Sequence, residues 1–243
     1  REVRKAFVAK NDDFVLMAVD YSQIELRIMA AFSQDKNMLE AFQNDKDIHS
    51  ATAAKLYKVP LEEVDTEMRR RAKTANFGII YGVSAFGLAT QLEIPRKEAK
   101  ALIDSYFEEF SAIKTYMDKV TNQAKEDEYV ETILGRKRYL RDINSRNSIL
   151  RGYAERNAVN APIQGSAADI IKVAMINIQK WLEKENLQSK MTMQVHDELV
   201  FDVAKSELEI VRAKVIELME NAIEINVPLK VEAGIGENWL EAH

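Results

Sequence analysis

Strand-like sequence is confined to the two ends of this chain, and that confinement limits its possible folds more than any other feature. Between about Lys36 and Arg156 the residues are helix formers almost throughout, as in DIHSATAAKLYK, TEMRRRAKTANFGIIYG and RKEAKALIDSYFEEFSAIKTYMDKVTNQAKEDEY. Ahead of that stretch FVLMAVD, Phe14 to Asp20, is an apolar run of strand length, suited to burial on both faces. Behind it Met191, Met193 and Val195 alternate with Thr192 and Gln194. Leu199, Phe201 and Val203 resume after the tip His196-Asp197-Glu198, which is the pattern of a hairpin. Leu208, Val211, Val215, Leu218, Ala222 and Ile225 then step at helical spacing, and LKVEAG supplies a last strand. The expected fold is α+β: a small antiparallel sheet made from both chain ends, with packed helices and an inserted all-helical region.

Some boundaries are readable too. Pro95 marks a helix start at Arg96. LGRKRYLRDINSRN reads as a basic, irregular connector, and a helix over roughly Ser148 to Glu185 should be interrupted near Pro162, which lacks a backbone donor. Ser22-Gln23-Ile24-Glu25, directly after the first strand, spells a capping box.

This arrangement brings Asp20, at a strand end, and Asp197, at the hairpin tip, into one sheet. A single Asp at a tip is an ordinary turn residue. Two carboxylates held together are different, because both stay ionised cheaply only with a cation between them. Oxygen ligands favour Mg²⁺, which takes one or two carboxylates, keeps waters and accepts substrate phosphates. A pair of such ions can stabilise the attacking and leaving oxygens of an in-line phosphoryl displacement.

The formal net charge of -5 conceals strong clustering. Gly135 to Arg156 holds seven basic residues against two acids, and Glu67 to Lys73 holds four against one, concentrations suited to phosphate. In the second cluster Arg69, Lys73 and Phe77 recur every fourth residue with Tyr81 one step further, so two cations and two aromatics share a helix face. Such a face suits a triphosphate with a sugar or base stacked beside it; equally, the aromatics suit core packing beside a solvated basic end. The chain has no cysteine, which removes disulfides and thiolate metal sites, and its three histidines, His49, His196 and His243, are too scattered to build a zinc site alone. No apolar run approaches the roughly 20 residues of a membrane span. REVRKAF has neither an initiator Met nor a signal-peptide core, which suggests a mature fragment or an excised piece of something longer, and the lack of cysteine suits a reducing compartment such as the cytoplasm.

Three stretches in order, DYSQIELR (Asp20 to Arg27), RRRAKTANFGIIYG (Arg69 to Gly82) and QVHDE (Gln194 to Glu198), resemble the motifs of bacterial family A DNA polymerases, and ERNAVNAPIQGSAADIIK adds a fourth. The likeness runs nearly end to end. It implies a palm from residues 1–27 and 155–243 and helical fingers from 28–154, with the helix of Arg69 to Tyr81 closing over a paired nucleotide. It implies that Asp20 and Asp197, with the Tyr21 carbonyl, hold two Mg²⁺, for which Mn²⁺ could substitute. Arg69, Lys73, His49 and Gln23 would contact the incoming dNTP, and Phe77 and Tyr81 would flank its sugar and base. Lys73 would protonate the departing pyrophosphate, and Glu25 would be a steric gate against a ribose 2′-hydroxyl. Arg156, Asn160 and Gln164 would touch primer-template DNA, His196 the primer terminus, and Glu198 would be a secondary acid.

The resemblance also implies a nucleoid-associated enzyme whose thumb and upstream palm lie outside this chain, so that the piece alone would have little activity. Two other classes remain at this stage. A two-metal nuclease needs the carboxylates but not the face from Arg69 to Tyr81, so dNTP binding separates it. A noncatalytic DNA-binding module would bind without Mg²⁺ and add no nucleotide.

Overall fold

Phe14–Tyr21 forms β1, and all its residues except Asp20 are buried, as a strand covered on both faces requires. The structure, a computed structural model, describes residues 2–243. It comprises two compact units, one of residues 1–24 with 167–243 and one of residues 25–166.

In the first unit the hairpin of β4 (Lys190–Val195) and β5 (Glu198–Ala204) lies on one side of β1, and β6 (Val231–Gly236) lies on the other. The order is β4-β5-β1-β6 and every pairing is antiparallel. The edge strand β4 alternates as expected, with Met191, Met193 and Val195 half-buried between exposed Thr192 and Gln194. Its partner β5 does not, because it is a central strand and Val200 is buried along with Leu199, Phe201 and Val203. Helix α9 (Leu208–Glu220) lies over one face, where the buried Tyr21 hydroxyl donates to the Met219 carbonyl at 2.7 Å. The helix stops at Asn221, short of the expected Ile225, and its buried stripe is Val211, Val215 and Met219, with Met219 in the place expected of Leu218. On the other face Leu16, Ala18 and Val200 pack with Trp239 and Ala242 of α10 (Trp239–Ala242). Each large apolar side chain buried here contributes about 1.5–3 kcal/mol.

The close seating of α10 depends on glycine. A Cβ at Gly234 would sit 2.1 Å from the Ala242 carbonyl oxygen, a backbone atom that cannot swing aside. Gly234→Ala is therefore expected to cost about 2–3 kcal/mol and to lower the melting temperature by roughly 5–10 °C in a thermal denaturation scan. An unchanged melting temperature would show that α10 is not held against the sheet.

The second unit is mostly helical: α1 (Ile24–Ser33, which starts at the unit border), α2 (Lys36–Gln43), α3 (Ile48–Tyr57), α4 (Thr66–Ile80), α5 (Ala85–Leu92), α6 (Arg96–Glu109) and α7 (Ser111–Asp127). Asp35, Asp47, Asp65 and Ser84 cap α2 to α5 by accepting from backbone N–H groups of the first turn. The helix-forming stretch from Arg96 divides into α6 and α7, because Phe110 leaves helical geometry and the Glu109 carbonyl accepts from the Asn37 side chain instead. Between Ser22 and the helix Gln23 has φ +55°, and α1 begins at Ile24.

The basic connector is also more ordered than expected. It contains β3 (Lys137–Tyr139), paired with β2 (Tyr129–Glu131). Gly135, at φ +76°, makes the turn, and the Lys137 ammonium stands 4.0 Å over the Tyr129 ring. Helix α8 then runs unbroken from Ser148 to Lys184, through Pro162. Buried Ala158, Val159 and Ile163 hold both sides of the proline in place, and this packing outweighs the lost backbone bond.

Candidate active site

Strand register carries acidic residues to one end of the sheet. Asp20 is paired with Glu198 on β5 and with Glu232 on β6, so three carboxylates stand in a row across adjacent strands. Asp197 joins them through a two-residue turn: Val195 pairs with Glu198, and the Asp197 carbonyl accepts from the Tyr21 N–H at 3.2 Å. The first turn residue, His196, has φ +56°, a conformation that favours glycine and costs another residue on the order of 1 kcal/mol. The strained turn is what seats Asp197 beside the end of β1.

The row is electrostatically uncomfortable. Burial first, and then the charges of Asp197, Glu198 and Glu232, push the Asp20 carboxyl up to about 6 against the pull of His243. Its Oδ1 is buried with no hydrogen-bond partner. Glu198 is otherwise engaged, because Oε1 accepts from the Trp239 indole N–H at 2.5 Å and Oε2 pairs with His243 Nδ1. An orphaned, buried oxygen amid clustered negative charge fits a hard divalent cation. Among the described residues no three His, Asp or Glu side chains close into a cage by themselves. Mg²⁺ does not require one, since it binds through one or two carboxylates plus water and phosphate.

The second unit gathers the cationic residues on α3 and α4. Arg69 and Lys73 lie one turn apart on α4, both exposed. Arg69 Nε donates to Asp47 Oδ2 at 2.6 Å, whereas Lys73 makes no ion pair among the described residues. Burial opposes ionisation of Asp47, yet bonds from Arg69, Ser50 and the His49 amide hold its carboxyl below the usual range. His49 is buried at 2% exposure, with its ring centroid 5.7 Å from that of Phe77. Burial, with Arg69 and Lys73 nearby, lowers its pKa to about 4 despite Asp47, so the imidazole is neutral near pH 7.

Tyr81 is not on the helix proper but caps it, and Gly82 follows at φ +72°. A Cβ at Gly82 would meet Arg156 Cγ at 3.0 Å, so the glycine admits the Arg156 stem. Phe77, Tyr81 and Arg156 thereby line a common cleft of about 530 Å³. Asn160 and Gln164 follow Arg156 at four-residue steps along α8, with Gln164 exposed and Asn160 Oδ1 buried without a partner.

The sequence model for DNA polymerase family A matches residues 1–241. The chain belongs to DNA polymerase family A. DNA polymerase I of Bacillus subtilis (strain 168) is 49% identical over 242 residues, covering 100% of this chain and 28% of that protein. DNA polymerase I of Streptococcus pneumoniae (serotype 4) is 51% identical over 243 residues, again 100% of this chain and 28% of that protein. A solved structure described as the POL domain of Pol1 from M. smegmatis, in complex with DNA primer-template and dNTP, matches with TM-score 0.94 and 47% identity, over 99% of this chain and 42% of that one. The chain thus spans 28% of the length of these curated relatives. No helix among its described residues is long and apolar enough to cross a membrane.

Within this family A chain, sequence reasoning passed over four residues that shape the site. Glu232 had no visible tie to Asp20 until β6 was in register. Trp239 anchors Glu198 from the far end of the chain, and Asp47 holds Arg69. Asn76, lying between Lys73 and Phe77 but on the buried side of α4, bonds His49. Only Asp47 carried a local signal, as an N-cap just before Ile48.

Proposed function

We propose that this chain is the palm and fingers portion of a template-directed DNA polymerase, which transfers a deoxynucleotidyl group from dNTP to a primer 3′-hydroxyl and releases pyrophosphate. The observation that carries this reading is the buried, unpartnered Oδ1 of Asp20 beside the Asp197 turn. Asp20 and Asp197, with the Tyr21 carbonyl, would hold Mg²⁺ or Mn²⁺. When bound, such ions supply Lewis-acid stabilisation of the attacking and leaving oxygens.

The other roles belong to the chain's own groups. Arg69 and Lys73 supply charge for the triphosphate, and His49 and Gln23 supply hydrogen bonds. Phe77 and Tyr81 offer faces for sugar and base. Lys73, exposed and without an ion pair among the described residues, would give a proton to the departing pyrophosphate. Glu25, in the first turn of α1, crowds a ribose 2′-hydroxyl. Arg156, Asn160, Gln164 and His196 contact primer-template DNA, and Glu198 braces the hairpin instead of ligating metal. The palm is read as residues 1–27 and 155–243 and the fingers as 28–154; with 28% of the length of its curated relatives, the isolated chain is expected to extend primers weakly.

A direct test replaces the matching segment of the Bacillus subtilis relative with this chain and measures primer extension with Mg²⁺ and dNTPs. Template-dependent extension by the chimera is expected. Degradation of DNA without synthesis would point to a nuclease, and metal-independent DNA binding without synthesis to a binding module.

A further inference from the structure

His49, Thr52 and Asn76 form a buried polar chain between α3 and α4, at 2%, 0% and 0% exposure. Thr52 Oγ1 donates to the Ile48 carbonyl at 2.7 Å, and a hydroxyl has one proton to give. Toward Asn76 the same oxygen can therefore only accept, and it does so from Nδ2 at 3.1 Å. Asn76 Oδ1 also lies 3.2 Å from that oxygen but receives no proton from it. The Asn76 amide nitrogen has two protons to give. Its second N–H then points at His49 Nδ1, 3.0 Å away, and a nitrogen that accepts there is unprotonated.

We infer that Asn76, whose amide nitrogen lies against Nδ1, is a positioning residue that fixes His49 as the neutral tautomer with its proton on Nε2, the form that donates a hydrogen bond to a phosphate oxygen. This deepens the reading of His49 as a contact for the incoming triphosphate and rests on it. The surroundings agree with the assignment. Arg69 and Lys73 disfavour a third cation, Asp47 is already committed to Arg69 and Ser50, and the Phe77 ring lies beside the imidazole. A neutral donor keeps its hydrogen bond as pH varies, whereas an imidazolium would lose its charge near pH 6–7.

The test begins with the ring nitrogens. Two-bond ¹H–¹⁵N spectra of the labelled chain resolve its three histidines, and His49→Gln identifies the signal. At pH 7 the wild-type ring is expected to be neutral with Nε2 protonated. Asn76→Asp is expected to move the proton to Nδ1. An imidazolium or an Nδ1-protonated ring in the wild type, or an unmoved proton in Asn76→Asp, would overturn the inference.

The second readout is calorimetric binding of dNTP with Mg²⁺. Wild-type affinity should change less than about twofold between pH 6 and 8. Asn76→Asp should lose roughly tenfold over that range, as a protonated ring gives way to one that presents a lone pair to the phosphate. The loss should vanish in Asn76→Asp/His49→Gln. A loss of equal size at every pH, or one that survives in the double variant, would reduce Asn76 to a packing residue. If the wild type binds no dNTP while the spectra come out as expected, the failure lies in the triphosphate reading and not in the Asn76 relay.

Discussion

Replacing Asp197 or Asp20 with alanine is expected to lower primer extension by at least about 10³-fold while leaving the fold intact, because in the proposed function both carboxylates would hold the ions that stabilise charge in the transition state. Replacing Asp20 should not cost stability above pH 6. Asp20 has a folded-state pKa of about 6, raised from an ordinary value near 3.8 by burial and by Asp197, Glu198 and Glu232. Between those two values the folded state binds the more protons, so stability falls as pH rises through the window and stays lowered above it. Asp20→Asn should therefore stabilise the metal-free chain by roughly 1–2 kcal/mol at pH 7–8, after allowance for solvent screening, and give no gain below about pH 4. Activity and stability thus move in opposite directions, which is how a site strained for function behaves. Urea titrations at pH 4 and pH 8, beside extension assays on the chimera, read both; an Asp20 variant that loses activity and stability together at pH 8 would contradict the assignment.

Lys73→Ala is expected to lower kcat/KM for single-nucleotide incorporation by about 10²-fold or more, mainly through kcat, the range typical of a lost general acid. Its ammonium is exposed and makes no ion pair among the described residues, whereas Arg69, one turn away, shares its charge with Asp47. Arg69→Ala should accordingly act mainly on nucleotide KM, by roughly tenfold, since a partly neutralised cation contributes binding more than proton transfer. Lys73→Arg should recover binding but little rate, because guanidinium is a far weaker acid. Single-turnover incorporation kinetics separate the two. Equal effects of Lys73→Ala and Arg69→Ala on kcat and KM would remove the proton-donor role.

The sequence made the frame of this fold legible where local physics sufficed. The unbroken apolar run of β1, the alternation along β4 and the helix formers from Lys36 onward each report a period or a burial state that neighbouring residues determine. The meeting of Asp20 with Asp197 could be read in the same way, because a carboxylate at the end of a central strand and another at a hairpin tip reach one edge of a shared sheet. What escaped depends on partners distant in the chain. Burial of Val200 reflects β1 beside β5 and α10 above it, and nothing adjacent in sequence signals either. The break at Phe110 follows from Asn37 taking the Glu109 carbonyl, and the continuity of α8 through Pro162 from packing on either side. Glu232, Trp239 and Asn76 act on the site only through register or tertiary contact, so no local pattern marks them.

The central claim is that Asp20 and Asp197 together bind a divalent cation. It is tested most directly by the melting temperature of the 243-residue chain at pH 7.5, with and without 10 mM Mg²⁺ or Mn²⁺, for the wild type, Asp20→Asn and Asp197→Ala. With a dissociation constant of about 1 mM, binding should add roughly 1.4 kcal/mol and raise the wild-type melting temperature by about 3–5 °C. Either replacement alone is expected to abolish that rise. A full metal-induced rise in either variant, or none in the wild type with either ion, would contradict it.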